Sequence, residues 1–294
     1  MRRKAVLGGI AVLAVVAFVV VYPFVSPWGA DDVDFSLRLQ LPSVSHPLGT
    51  DEFGRDLATR VAVGGRTTLE IAGGALGIIL AVGSLWGACA ALAGGAADSA
   101  MMRVVDGLLA LPRLLIGIII LVALRLNAST VPAVVLALSV AGWMLTARLV
   151  RGHVLGLKGR EFVTAARALG ARWPNIARRH LLRNSTGILL VVVLLELPTV
   201  VLGEAFIAVL GLGPSPPAAT WGNIAYDGWM EHRAWDMLVA TLAITVFAVS
   251  ANLLADGIQD VLDPRRRRAV ARARPRLLRG ARRPGAQAEL DTPA

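Results

Sequence analysis

Residues 160–184 read REFVTAARALGARWPNIARRHLLRN, a polar island between two long apolar stretches. Its first half has helical periodicity: Phe162, Ala165, Ala166 and Leu169 fall at i, i+3, i+4 and i+7 and make one narrow apolar stripe. Gly170 follows at once, where a helix C-cap needs a residue that accepts positive φ. The stripe is too narrow for a core helix and too short to cross a bilayer, which takes about 20 apolar residues. A short amphipathic helix held at a membrane surface is expected to dock into something.

The composition on either side of the island decides the class. Hydrophobic residues make up 55% of the chain and charged residues 17%, against about 25% charged in a soluble domain. Mean hydropathy is +0.64. Six segments, at approximately 5–25, 67–93, 101–124, 131–150, 186–210 and 236–260, are apolar and long enough to span. Little chain is left between them, so the expectation is an all-α integral membrane protein with six transmembrane helices. The first segment follows Arg2, Arg3 and Lys4 but runs on to Val21, and no A-x-A pattern comes after it. A secretory signal has an apolar region of about 7–15 residues, so this span reads as a retained anchor.

Basic residues set the orientation, because cytoplasmic segments carry the Lys/Arg excess. With the N-terminus inside, the cytoplasm receives 23 of the 30 basic residues: the first three, Arg103, nine between Arg148 and Arg183, and ten from Arg265 onward. Arg38, Arg55, Arg60, Arg66, Arg125 and Arg233 stay outside, and Arg113 lies within a span. Both termini and the polar island are therefore expected on the cytoplasmic side of the membrane. The net charge of +10 is mostly this asymmetry and not the footprint of a nucleic-acid partner. The arginines after Pro264 suit an orientation anchor, with contact to anionic lipid head groups as the other reading.

Several chemistries find no residues to carry them. A P-loop needs Gly-Lys-Ser/Thr, and the two lysines, Lys4 and Lys158, follow Arg3 and Leu157. ATP and Mg²⁺ would have to be bound by other chains, and no cofactor is expected in this one. His46, His153, His180 and His232 are scattered, and Cys89 is the lone cysteine, so there is neither a metal-binding spacing nor an intrachain disulfide. No G-x-S-x-G or other nucleophile setting occurs. No catalytic residue is assigned.

The polar island resembles the cytoplasmic coupling loop of ABC importer permeases, whose hallmark is Glu-Ala-Ala, three residues, then Gly. Here the hallmark falls on Thr164, Ala165, Ala166 and Gly170, with Thr164 in place of the acid. Further stretches resemble the dipeptide, oligopeptide and nickel importers of that family. They are residues 46–56 (HPLGTDEFGRD), Asp98 through Arg103 and Asp106 to Pro112, and Gly142-Trp143 through Arg151. The series continues with residues 204–213 (EAFIAVLGLG), Trp221-Gly222-Asn223 and residues 252–265 (NLLADGIQDVLDPR). The likeness runs in order from about residue 46 to 265. Arg183, where a proline is usual, and Glu196 followed by Pro198 inside the fifth span depart from it.

The resemblance implies the type I ABC importer permease fold. It also implies a second permease subunit in a heterodimer, two ABC ATPase subunits or domains, and an external substrate-binding protein. Glu161, Phe162, Thr164, Ala165, Ala166, Leu169 and Gly170 would form the ATPase-coupling helix. Residues 1–65 would be an anchor helix and external loop, 66–264 the permease domain with its coupling loop at 151–185, and 265–294 a basic, disordered tail. The substrate would be a di- or oligopeptide, with nickel or another small solute as the alternative and a non-transport scaffold as the rival class.

Two further expectations concern charges. Arg103 and Asp106, three residues apart, are placed to pair on one helix face. Glu196 and Glu204 lie within the fifth span, where an unpaired charge is expensive. They either face a central pathway and meet a cationic substrate group, or serve structure, with Glu204 capping near the outer boundary and Glu196 pairing with an arginine.

Overall fold

A computed structural model describes residues 2–123, 130–170, 185–216 and 218–262 of the chain. The second half of the polar island, with Arg183, and the arginine-rich tail lie outside these residues. The described helices are α1 (Arg2–Val25), α2 (Leu57–Ala93), α3 (Gly95–Leu109), α4 (Arg113–Ala123) and α5 (Val131–Lys158). They continue with α6 (Glu161–Ala168), α7 (Thr186–Ile207), α8 (Trp221–Met230) and α9 (Ala234–Leu262), and a π-helical turn, Ala208–Leu212, extends α7.

Among the described residues, α1, α2, α5, α7 with its extension, and α9 are long and apolar enough to cross a membrane. The expected third span is different. It is a pair of helices, α3 and α4, bent by 87° at a short break, and counts as a sixth span only if the pair is taken together. Pro112 sits at the break. It has no N–H to give the preceding turn but suits the start of a new helix, where Ile116 N–H donates to its carbonyl at 3.3 Å. α2 also begins earlier than expected, so residues 57–65, assigned on sequence to the external loop, are its first turns.

Glycine lets these helices approach closely, as is usual where lipid supplies no hydrophobic drive between them. A Cβ on Gly87 of α2 would lie 2.2 Å from the Ala147 carbonyl oxygen of α5. One on Gly8 of α1 would meet Leu254 N at 2.5 Å, and one on Gly257 of α9 would meet Ala5 Cα at 2.4 Å. α1 is thus seated on α9. The main core gathers Ile71, Ile79, Leu138, Val200, Trp221 and Phe247 from five helices.

At the α3–α5 side, charged residues are paired across helices. Arg151 grips Asp98 with both arms of its fork, Nε to Oδ1 at 2.6 Å and Nη2 to Oδ2 at 2.7 Å. Asp106 pairs with Arg148 of α5, and not with Arg103 of its own helix as the spacing suggested. The bend leaves α3 beside α5, so a cross-helix arginine takes the acid.

The motif at residues 46–56 folds into a compact knot before α2. Gly49 and Gly54, at φ +77° and +76°, turn the chain where a side chain would strike the Gln40 and Asp34 carbonyls. Asp51 is fully buried; its Oδ1 accepts the Phe53 and Arg55 amides at 2.9 and 3.0 Å, and its Oδ2 meets Arg55 Nε at 2.7 Å and Arg60 Nη1. Burial pushes the Asp51 carboxyl upward, but Arg60, the Arg55 amide and the Arg55 guanidinium outweigh it and hold it below the ordinary value. Asp56 caps α2 by accepting the Thr59 amide at 2.8 Å, and its other oxygen lies 3.0 Å from His46 Nδ1. Trp235 of α9 donates to the Leu48 carbonyl at 2.9 Å and ties the knot to the bundle. Nearby, burial raises Asp227 against the pull of Arg60, and raises Glu231 to about 7 with help from the adjoining Glu52.

Candidate functional site

α6 spans Glu161–Ala168, and the chain leaves it through Gly170 at φ +84°. The start is set where the Val163 and Thr164 amides donate to the Arg160 carbonyl at 3.0 and 3.2 Å. The C-terminal turn expected at Gly170 is present, in the left-handed region that glycine occupies without strain.

The orientation of α6 is informative. Val163, which lay outside the predicted stripe, is the residue turned inward, at 1% exposure. Glu161, Thr164, Ala165 and Gly170 are exposed, Ala166 is half-buried, Phe162 keeps 39% of its surface and Leu169 keeps 89%. The apolar stripe is not the buried side of this helix: among its members Ala165 and Leu169 are exposed and Ala166 and Phe162 are partly covered. Val163 was missed because one buried residue in an eight-residue helix leaves no periodic signal.

A second feature lies between α4, α5 and α7. A cavity of about 550 Å³ is walled by residues such as Leu114, Gly117, Leu138, Leu202 and Phe206, with Arg113 and Thr199 the polar members of its lining. The volume falls within the roughly 300–1,000 Å³ typical of small-ligand sites. The Thr199 hydroxyl is committed to its own helix, donating to the Leu195 carbonyl at 3.1 Å. Arg113 Nη2 lies 2.7 Å from Glu196 Oε2, with side-chain exposures of 28% and 3%.

The two acids of the fifth span are therefore not equivalent. Glu196 stands behind Arg113, so the charge bordering the cavity is cationic. Glu204 is 1% exposed, and Thr68 of α2 donates to its Oε2 at 3.4 Å. The Trp221 amide, opening α8, donates to the same Thr68 hydroxyl at 3.2 Å, and Trp221 Nε1 donates to the Val61 carbonyl at 2.8 Å. A Cβ on Gly222 would come within 3.3 Å of Glu204 Oε1, so α8 rests directly on this acid. Glu204 joins α2, α7 and α8, and is not part of the cavity lining. Arg113, noticed in the sequence only as a basic residue inside a span, is the missed member of this site. The available signal was that same intramembrane charge, placed directly after a proline.

Comparison with known proteins agrees with this architecture. Residues 73–268 match the family described as binding-protein-dependent transport system inner membrane component. The chain is 34% identical to the oligopeptide transport system permease protein OppC of Bacillus subtilis (strain 168) over 269 residues, 91% of this chain and 87% of that protein. It is 35% identical to the dipeptide transport system permease protein DppC of the same organism over 271 residues, covering 91% and 84%. Against the oligopeptide transport system permease protein OppC of Haemophilus influenzae the figures are 32% over 271 residues, 90% and 86%. With most of its length inside the matched segment, this multi-pass membrane chain belongs to the family of binding-protein-dependent transport system inner membrane components and has the type I ABC importer permease fold.

Proposed function

We propose that this chain is a permease subunit of an ATP-driven peptide importer. It forms part of the translocation pathway and couples it to separate ATPase subunits. The observation that carries the reading is α6, a short helix that leaves Ala165 and Leu169 exposed and ends on a glycine at positive φ. Such an exposed small-and-apolar face, on a helix held to the chain by the buried Val163, suits docking against another protein. Relatives of this chain are permease proteins of oligopeptide and dipeptide transport systems, which supports peptides as the cargo.

The partners are a second permease subunit, two ABC ATPase subunits and an external binding protein. Membrane lipid surrounds the spans. ATP and Mg²⁺ belong to the ATPase pair, since this chain has no Gly-Lys-Ser/Thr to hold them. Nucleotide-driven closure of the ATPases moves α6 of both permeases and reopens the spans outward, and no residue here enters a covalent step. Glu161, Phe162, Thr164, Ala165, Ala166, Leu169 and Gly170 form the coupling surface. The Arg113–Glu196 pair and the cavity beside it lie on the pathway, whereas Glu204 serves packing.

Co-expression with the second permease, ATPase and binding-protein subunits of its transporter and reconstitution into vesicles tests the function. The complex is expected to accumulate labelled tri-alanine with external binding protein and ATP on the ATPase side. ATP hydrolysis without accumulation of any di- or tripeptide would contradict it.

Both termini are cytoplasmic in this reading. In a Cys89→Ser background, single cysteines replacing the exposed Ser43 and Ser215 should react with an impermeant thiol reagent on intact cells. Cysteines replacing Ser99 and Ala168, exposed at the other end of the bundle, should react only after lysis. Labelling of Ala168→Cys in intact cells would reverse the orientation.

A further inference from the structure

We propose that Arg113 receives the carboxylate end of the transported peptide within the membrane, an inference that rests on the peptide reading above. A carboxylate entering an apolar chamber loses its water, which is prohibitive without a counter-charge and hydrogen bonds. The cavity offers one group able to supply both. Its lining holds two polar side chains, and the Thr199 hydroxyl already donates to Leu195. Arg113 is 28% exposed at the cavity wall, and its pairing with Glu196 runs through Nη2. A guanidinium carries five N–H donors in a planar fork, so one edge can hold Glu196 while another meets a second carboxylate.

Glu196 has the complementary part. Its carboxylate is 3% exposed and faces the guanidinium, so it contributes orientation and not a surface for cargo. The contact with Glu196 makes an arginine at this depth tolerable, and the guanidinium edge turned away from Glu196 supplies the donors for the cargo carboxylate. A zwitterionic peptide then enters without net charge, its carboxylate toward Arg113 and its ammonium away. This reverses the polarity that the acidic residues of the fifth span suggest when read alone. Glu196 is a positioning residue, and Arg113 is the contact.

The purified whole transporter provides the test, with two readouts. Thr199→Cys in the Cys89→Ser background places a thiol at the exposed cavity wall. Tri-alanine should slow its labelling by a thiol reagent, the C-terminal amide of tri-alanine should not, and Arg113→Gln should abolish the difference. In uptake, the charge swap Arg113→Glu with Glu196→Arg restores an ion pair but presents an anion to the cavity. The swap should keep the ATPase subunits during purification yet import tri-alanine at least tenfold more slowly than wild type. Equal protection by acid and amide, or wild-type uptake by the swap, would overturn the carboxylate contact while leaving peptide transport intact. Failure of the wild-type complex to import any peptide would overturn both readings together.

Discussion

Ala166→Trp is expected to strip the purified complex of its ATPase subunits while leaving the chain inserted at normal abundance. Ala166 is half-buried on a helix whose neighbours Ala165 and Leu169 are exposed, so an indole there projects into whatever covers the face. Overpacking a close contact costs about 1–3 kcal/mol, which is about a five- to 150-fold loss of affinity. Peptide uptake should fall with it. Gly170→Val should reach the same loss of transport by another route. At φ +84° a β-branched residue is a genuine outlier, so the chain must leave α6 in another direction. Neither substitution touches a span, and membrane abundance should stay level in both. Thr164→Glu, which restores the acid usual in this family, lies on the exposed face and should be tolerated. Co-purification and uptake at matched abundance are the measurements; normal ATPase retention by Ala166→Trp contradicts the docking assignment.

Asp51→Ala is expected to be the most damaging single change outside the spans. The substitution removes the acceptor of two backbone amides and orphans Arg60, whose side chain is 7% exposed. Breaking a buried pair by removing one partner costs about 3–5 kcal/mol. The remaining carboxylate near Arg60, Asp227, is 3.9 Å away and 41% exposed at its side chain, too distant and too wet to replace the loss. Thermal unfolding of the purified complex should shift strongly downward, and Asp51→Asn, which keeps one oxygen to accept both amides, should lose less. An unchanged melting profile in Asp51→Ala would mean that the knot does not hold the N-terminal ends of α2 and α9 together.

The span pattern was legible because bilayer thickness and apolar run length are coupled directly, and five of the six expected spans are present as single long apolar helices. The exception is physical. Residues 101–124 are apolar enough for one helix, yet hydropathy carries no information about the direction change at Pro112, where the axis turns by 87°. The start of α2 was misread for a related reason. Residues 57–65 include Arg60 and look like loop, but Asp51 neutralises that arginine from outside the helix. At the candidate site, Gly170 was readable because only a backbone constraint explains a glycine there. The sign of the cavity charge was not, since Glu196 is conspicuous in a hydrophobic run and its partner Arg113 is more than eighty residues away along the chain. Arg103 and Asp106 failed likewise: local spacing proposed a pair, and tertiary packing brought Arg148 instead.

The central claim is that α6 is the surface through which ATP hydrolysis reaches the spans. A photoreactive residue in place of Leu169, 89% exposed at the end of α6, tests it most directly in the assembled transporter. Irradiation should join this chain to an ATPase subunit in high yield, and the yield should change when nucleotide closes the ATPase pair. Adducts confined to lipid or to the second permease, with none to an ATPase subunit in either nucleotide state, would contradict the account.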